Sequence, residues 1–133
     1  MTFNPQPKPA KSPKKARTRV KATNPKRKAS AFQRAYGSRA RVEWVKTLAC
    51  LACRRSYADG DVPIAIIQNA HVSTGGMGRK ANADQIVPLC TDHHGRLHQW
   101  GRSGFESFFG LNLTAEAAAV EAVWQAHLQE TMP

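Results

Sequence analysis

The chain has 133 residues, 41% of them hydrophobic, and a formal net charge of +11. This length supports one small domain at most. No apolar run reaches the roughly 18 residues of a membrane helix, and no signal-peptide core follows the start, so we expect a soluble, cytoplasmic protein. The chain contains 3 cysteines. An odd number in such a protein argues against a disulfide framework and favours metal binding.

The positive charge is concentrated at the N-terminus. Residues 1–42 hold 13 of the 20 Lys and Arg and no acid. Residues 1–31 are rich in proline and poor in large apolar side chains, which predicts a disordered basic arm, because too little surface is buried to offset the ordering entropy. Such an arm suits a polyanion, and DNA is the expected partner. The candidates for phosphate contacts are Lys14, Lys15, Lys26, Arg27 and Lys28. The alternatives for this arm are a solubilising tail, a nuclear localisation signal and a transit peptide.

Residues 32–133 are expected to form the folded domain. Gly37 is a predicted break, and a short helix over about 39–48 leads into the first cysteines. The pattern then predicts, in order, a strand over 61–73, a loop over 74–84 and a second strand over 85–90.

The remaining third of the chain predicts helices. One begins near Asp92, whose carboxylate suits a cap or first turn, and "FESFFG" over 105–110 adds one or two further turns. Thr114 is the expected N-cap of an alanine-rich helix over about 115–130. The predicted apolar face of that helix consists of Val120, Val123, Trp124 and Leu128. The fold class is therefore α+β, with a strand–loop–strand–helix unit over roughly 61–100.

The cysteines have the spacing of metal ligands. Cys50 and Cys53 form a C-x2-C pair, which lets two sulfurs reach one ion from a tight turn. Cys90 and His93 in "CTDH" supply a second half after 36 intervening residues, which leaves room for a two-stranded insert. The four residues predict a structural Zn²⁺ site. The alternative is three buried free cysteines that act as small hydrophobic residues.

Three histidines crowd the stretch "TDHHGRLH" over 91–98, and helical geometry separates them. The neighbours His93 and His94 point about 100° apart on a helix, so they do not easily share one ion. His94 and His98 are four residues apart and lie on one face, where they can hold a second metal. The alternative is an exposed pair without a function.

His71 ends the first predicted strand and is the candidate acid, base or nucleophile. The hairpin brings it across from His94, so a base would face a metal-bound phosphate. The alternative is a structural histidine. Further candidates for phosphate contacts are Arg79, Lys80 and Arg96, with Arg54, Arg55 and Arg102.

The stretches "CLAC", "NAHV" and "GGMGRKANADQIVPLCTDHHGRLH", in this order, resemble the HNH endonucleases with the ββα-metal fold. The resemblance covers about residues 36–110. It extends to small phage-type members, among them the recombination-enhancing, RecA-dependent phage nucleases, which also have a basic disordered arm. It implies a small ββα-metal domain with flanking helices, a structural zinc on the Cys3His set, His71 as general base, and a catalytic Mg²⁺ or other divalent ion on His94 and His98.

Two positions depart from the pattern of this family. The middle Asn of the motif corresponds to Gln85, which the resemblance makes a catalytic residue. A frequent metal ligand just before the base corresponds to Ala70. Asn69, Asp84 or water would then have to complete the coordination of the catalytic ion.

The resemblance implies hydrolysis of phosphodiester bonds in DNA, leaving 5′-phosphate and 3′-hydroxyl ends, in phage or prophage recombination or DNA processing inside a bacterial host cell. Two other interpretations stay open. One is a non-catalytic, zinc-stabilised nucleic-acid-binding module. The other is a nuclease that acts only on DNA held by a partner, such as a recombinase filament or a phage DNA-processing complex.

Overall fold

The computed structural model of the chain describes residues 24–57, 60–74, 76 and 79–132, together with Thr2 and Ala10. Within these residues the elements are α1 (Pro25–Tyr36), α2 (Arg39–Lys46), α3 (Leu51–Ser56), β1 (Ile67–His71), a 3-10 turn (Ala83–Gln85), β2 (Ile86–Cys90), α4 (Thr91–Phe109) and α5 (Leu113–Thr131). The predicted mixed α+β class is confirmed. In these ranges no helix is both long and apolar enough to cross a membrane.

The two strands form an antiparallel hairpin. Ile67 lies opposite Cys90, and His71 lies opposite Ile86. Every residue of β2 is buried, because α4 and α5 pack against it. β1 is shorter than the predicted strand over 61–73, since Ile64 and Ile66 are exposed rather than packed in a sheet. The apolar composition of that stretch therefore does not reflect burial.

Helix α1 includes residues that the sequence assigned to the disordered arm. Asn24 caps it by accepting a hydrogen bond from the Lys26 amide at 3.0 Å, and Pro25 stands at the helix start, where its missing N–H is not needed. Residues 25–31 of the predicted arm are thus helical. Ala35 is the buried residue of α1, so the helix is held at its C-terminal end. Lys14 and Lys15 lie outside the described residues.

Helix α4 joins two segments that the sequence separated. Gly101 has φ 75° and ψ 167°, values outside the helical region, and it bends the helix in its middle. Positive φ is accessible to glycine without steric cost, which accounts for the bend at this position. The helix begins directly after Cys90, whose sulfur accepts from the His93 amide at 3.5 Å, and Asp92 falls in the first turn instead of at the cap.

The start and the buried face of α5 also differ from the prediction. Asn112 caps the helix by accepting from the Ala115 amide at 3.1 Å, so the helix starts before Thr114. The buried residues are Leu113, Ala117 and Trp124, which follow a helical stripe. Val123, predicted on the apolar face, is 56% exposed, because it points about 100° away from Trp124.

The hydrophobic core lies between the hairpin and the helices. Phe105 and Leu113 pack with Leu89 in one buried cluster, and all three cysteines belong to it. The cysteines are thus part of the interior, while the outer surface of the hairpin and the first half of α4 face a cleft. The fold therefore separates two groups of polar side chains, which share only α4: the Cys/His cluster at the end of β2 and the residues of the cleft beside β1.

Candidate metal centre and catalytic cleft

The predicted zinc residues come together at the start of two helices. Cys50 precedes α3 and Cys53 lies within it, while Cys90 ends β2 and His93 is in the first turn of α4. Their four ligand atoms all lie within 4.8 Å of one another. The His93 Nδ1 atom is 3.4 Å from the sulfurs of Cys50 and Cys53 and 3.2 Å from the sulfur of Cys90.

The donor set has the dimensions of a tetrahedral site. With metal–sulfur and metal–nitrogen bonds of the usual length, the edges of the tetrahedron are about 3.8 Å between sulfurs and about 3.6 Å between sulfur and nitrogen. The Cys53 and Cys90 sulfurs are 4.0 Å apart, close to the first of these values, and the sulfur–nitrogen distances of 3.2–3.4 Å are slightly shorter than the second. The cluster is therefore compatible with a metal site such as a zinc site.

The chemistry of the cluster also fits a cation. Burial, followed by the neighbouring Cys50 and Cys90, raises the pKa of the Cys53 thiol to about 12. Three thiolates packed this closely would repel one another, so their ionisation requires a positive charge between them. Burial lowers the pKa of His93, which favours the neutral imidazole that binds metals.

A cleft of about 770 Å³ lies beside β1 and α4, a size in the range of small-molecule and substrate sites. It is lined by residues from the end of α1, from β1, from the following loop and from α4. Those with polar or charged side chains include Tyr36, Asn69, His71, Arg79, Lys80, His94, His98 and Arg102. None of the described lining residues is acidic, so the cleft suits an anion.

His71 is held in one tautomer by the end of α1. Its Nε2 atom lies 2.7 Å from the carbonyl oxygen of Ala35. Because a carbonyl only accepts, Nε2 carries the proton, and Nδ1 keeps its lone pair. Burial lowers the pKa of His71, and the charges of Lys80 and Arg41 act in the same direction, against the raising effect of the Ala35 hydrogen bond. The imidazole is therefore neutral at pH 7.

His94 and His98 form a pair on the face of α4 that lines the cleft. Their Nε2 atoms are 3.1 Å apart. Two nitrogens that bind one ion at about 2.1 Å are roughly 3.0–3.4 Å apart, so the pair fits a single cation. Gln68 Oε1 accepts from His94 Nδ1 at 2.7 Å, which leaves the lone pair of His94 on Nε2. Burial lowers the pKa of His94, with further contributions from His98 and His71.

The cleft gathers most of the predicted catalytic residues but not all of them. Gln85 does not line it; its carbonyl accepts from the Val72 amide at 2.8 Å and so closes the base of the loop after His71. Arg96 also lies outside the lining, where it pairs with Asp92 at 3.2 Å and stacks over Trp100. Of the predicted phosphate contacts in the domain, Arg79, Lys80 and Arg102 line the cleft.

Three groups around the cleft were not identified from the sequence. They are the Ala35 carbonyl, Tyr36 and Gln68. A backbone carbonyl leaves no mark on a sequence, and Tyr36 is 35 residues before His71, outside any motif. Gln68 carried a weak signal, because a long polar side chain inside an apolar strand needs a hydrogen-bond partner.

The chain belongs to a family described as "Protein of unknown function (DUF968)", whose sequence profile matches residues 18–124. Both the Cys/His cluster and the cleft residues fall within this range. The chain is similar to the "Uncharacterized protein YdfU" of Escherichia coli strain K12, with 37% identity over 70 residues. The alignment covers 53% of this chain and 18% of that protein. No solved structure matches the chain.

Proposed function

We propose that the protein is a metal-dependent endonuclease of the HNH type, which hydrolyses phosphodiester bonds in DNA. The observation that carries the proposal is the placement of a neutral histidine, His71, in the same acid-free cleft as the His94–His98 pair. One group can act as a base, and the other can hold a cation. Hydrolysis of a phosphate ester can use both, and the positive side chains of the cleft favour such an anionic substrate.

We assign Zn²⁺ to the Cys50, Cys53, Cys90 and His93 cluster, in a structural role. The three cysteines are buried in the core and, with His93, supply all four positions of a tetrahedron. A site with four protein ligands leaves no position for water or substrate, which is typical of structural zinc. Its location between α3, β2 and α4 ties together segments that are distant in the sequence.

His71 is the general base in this proposal. Its Nδ1 lone pair takes the proton from the attacking water, and the Ala35 carbonyl keeps hydrogen-bonding the Nε2–H as the ring becomes charged. The lowered pKa of His71 keeps the base neutral and ready at pH 7. The water oxygen then bonds to phosphorus while the bond from phosphorus to the 3′ oxygen breaks, and the departing 3′ oxygen takes up a proton from solvent, which gives 5′-phosphate and 3′-hydroxyl ends.

His94 and His98 are the residues that would hold a catalytic Mg²⁺ or similar divalent ion. When bound there, such an ion supplies positive charge where negative charge develops on the phosphate. Asn69 is a better candidate for a third ligand than Asp84. Asn69 lines the cleft, and its Oδ1 has no hydrogen-bond partner in the described part of the chain, whereas Asp84 is exposed outside the lining.

The surface around the cleft provides contacts for the nucleic-acid backbone. Arg79 and Lys80 bring positive charge to its rim. The exposed first turn of α1 carries Lys26, Arg27 and Lys28, and α1 ends at the cleft wall. DNA bound along α1 would therefore lead toward His71, and the basic side chains would displace condensed counterions from the phosphates into solution.

The proposal is tested by incubating supercoiled plasmid with the protein and Mg²⁺ or Mn²⁺, with and without a chelator. We expect nicked or linear product that disappears with the chelator. His98→Ala should reduce the rate by at least about 100-fold, since it removes a ligand of the cation. His127→Ala is the matched control, because His127 lies on α5 against Trp124, away from the cleft.

The nuclease assignment would be contradicted if no divalent metal supports cleavage, either by the protein alone or in the presence of a recombinase filament on homologous DNA. The filament arm detects a nuclease that depends on a partner. If DNA binding remains while cleavage is absent in both arms, the protein is a zinc-stabilised nucleic-acid-binding module.

Gln68 provides a further prediction for the same site. Gln68→Leu removes the oxygen that orients His94, and we expect metal affinity at the cleft to fall about 10- to 100-fold. Gln68→Glu keeps an acceptor at the same position and should retain most of the affinity. Titration with Mn²⁺ followed by electron paramagnetic resonance measures free ion directly. Equal affinity in the wild type and Gln68→Leu would show that His94 is oriented by other contacts.

A further inference from the structure

The last turn of α1 borders the cleft although it belongs to no recognisable motif. The Ala35 carbonyl accepts the hydrogen bond of His71, as described above. The next residue, Tyr36, lines the cleft, and its ring meets the His71 ring edge-on, with 5.2 Å between the ring centroids. The tyrosine is therefore in direct contact with the proposed base.

Lys80 reaches the same tyrosine from the loop between the strands. Its ammonium group donates a hydrogen bond to the Tyr36 hydroxyl and lies 4.8 Å from the centroid of the Tyr36 ring. A backbone bridge between Thr74 and Lys80 closes the loop that carries the lysine. A lysine side chain is long and samples many rotamers, so this hydrogen bond restricts where its charge can be.

We infer that Tyr36 is a positioning residue for the hydrolysis, which holds the Lys80 ammonium group in the cleft beside the His71 imidazole. This inference rests on the proposed function. A cation fixed before the reaction stabilises charge on the phosphate without having to reorganise in the transition state. Tyr36 should therefore affect turnover more than it affects DNA affinity.

The role is tested with Tyr36→Phe, which keeps the ring and removes the hydroxyl acceptor. We expect kcat to fall about three- to tenfold, the range of one hydrogen bond, with KM and the melting temperature unchanged. Tyr57→Phe is the matched control: Tyr57 is the other of the 2 tyrosines in the chain, half-exposed at the end of α3. It should have wild-type kinetics.

Repeating the Tyr36 substitution in a Lys80→Gln variant distinguishes a positioning role of Tyr36 from a merely structural one. Lys80→Gln removes the ammonium group, so in that background Tyr36→Phe should lower kcat further by less than about twofold. Wild-type turnover of Tyr36→Phe, or an equal loss in both backgrounds, would overturn the inference. A wild-type protein that cleaves no DNA, with every metal and with a recombinase filament, would overturn the proposed function together with this inference. The two failures are therefore distinguished by the wild-type reaction.

Discussion

Replacement of His93 by alanine is expected to remove the proposed structural zinc and destabilise the fold, whereas the same change at the adjacent His94 should leave zinc binding and the fold intact. The two residues are neighbours on α4 and have the same side chain, but their side chains point in different directions. His93 Nδ1 points to three sulfurs, and His94 lines the cleft. The pair of variants thus compares two sites with a single type of substitution.

The expected loss of stability in His93→Ala follows from the contribution of zinc to the folding of small domains. A structural zinc contributes on the order of 10 kcal/mol to the folding of zinc-finger peptides, while the whole stability of a domain is about 5–15 kcal/mol. Loss of one of four ligands should therefore cost several kcal/mol, and we expect His93→Ala to lower the melting temperature by about 15 °C or more. The remaining three cysteines cannot ionise together easily, since burial and mutual repulsion already raise the pKa of Cys53.

Zinc content by mass spectrometry and melting by circular dichroism measure this prediction. The wild type and His94→Ala should each contain one zinc per chain and melt at similar temperatures, and His93→Ala should contain none. His94→Ala should at the same time lose metal-dependent cleavage. A His93→Ala variant that keeps its zinc and its melting temperature would show that His93 is not a ligand.

Local chemistry made one part of the site predictable from the sequence. The C-x2-C and C-x2-H spacings identified the four-residue cluster, because each pair lies across the start of a helix. The assignment of His93 and His94 to different sites needed only the 100° turn of a helix. These features depend on residues within a few positions of each other, where the sequence determines the geometry.

Long-range contacts and burial could not be predicted in the same way. The Ala35 carbonyl and Tyr36 reach His71 only because α1 packs by its last turn against the region before β2. The predicted strand over 61–73 was too long because β-branched residues such as Ile64 remain exposed. Residues 25–31 were expected to be disordered, but a capped start and a packed end make them helical. In each case, tertiary packing decided the outcome.

His71→Ala is expected to reduce cleavage strongly while the fold and DNA binding are retained. General-base catalysis accounts for about 10²- to 10⁴-fold in rate, so the variant should fall at least 100-fold in kcat. Gel-shift affinity should remain close to the wild type, because α1 and the loop carry the basic side chains, and the melting temperature should fall only by the amount expected for the lost hydrogen bond to Ala35. Wild-type cleavage by His71→Ala would exclude His71 as the base.

The pH dependence of the wild type tests the same residue through its titration. The base acts only when neutral, so the rate should rise with pH through the pKa of His71 and then level off. Burial lowers that pKa, with Lys80 and Arg41 acting in the same direction, so the midpoint should lie below the ordinary histidine value of about 6.5. Lys80→Gln removes one of the positive charges, and the midpoint should then move to higher pH.

Protonation of the metal-binding histidines would also reduce the rate at low pH, and the metal concentration separates the two causes. Protons and metal compete for His94 and His98, so an acid limb from these residues shifts to lower pH as the Mg²⁺ concentration is raised. His71 holds no metal in the proposal, so a midpoint set by His71 should not change once Mg²⁺ is saturating. A midpoint that keeps moving to lower pH as more Mg²⁺ is added would assign the titration to His94 and His98. Lys80 lowers the pKa of both His71 and His94, so a shift on Lys80→Gln assigns the titration to His71 only when the midpoint is also independent of the Mg²⁺ concentration.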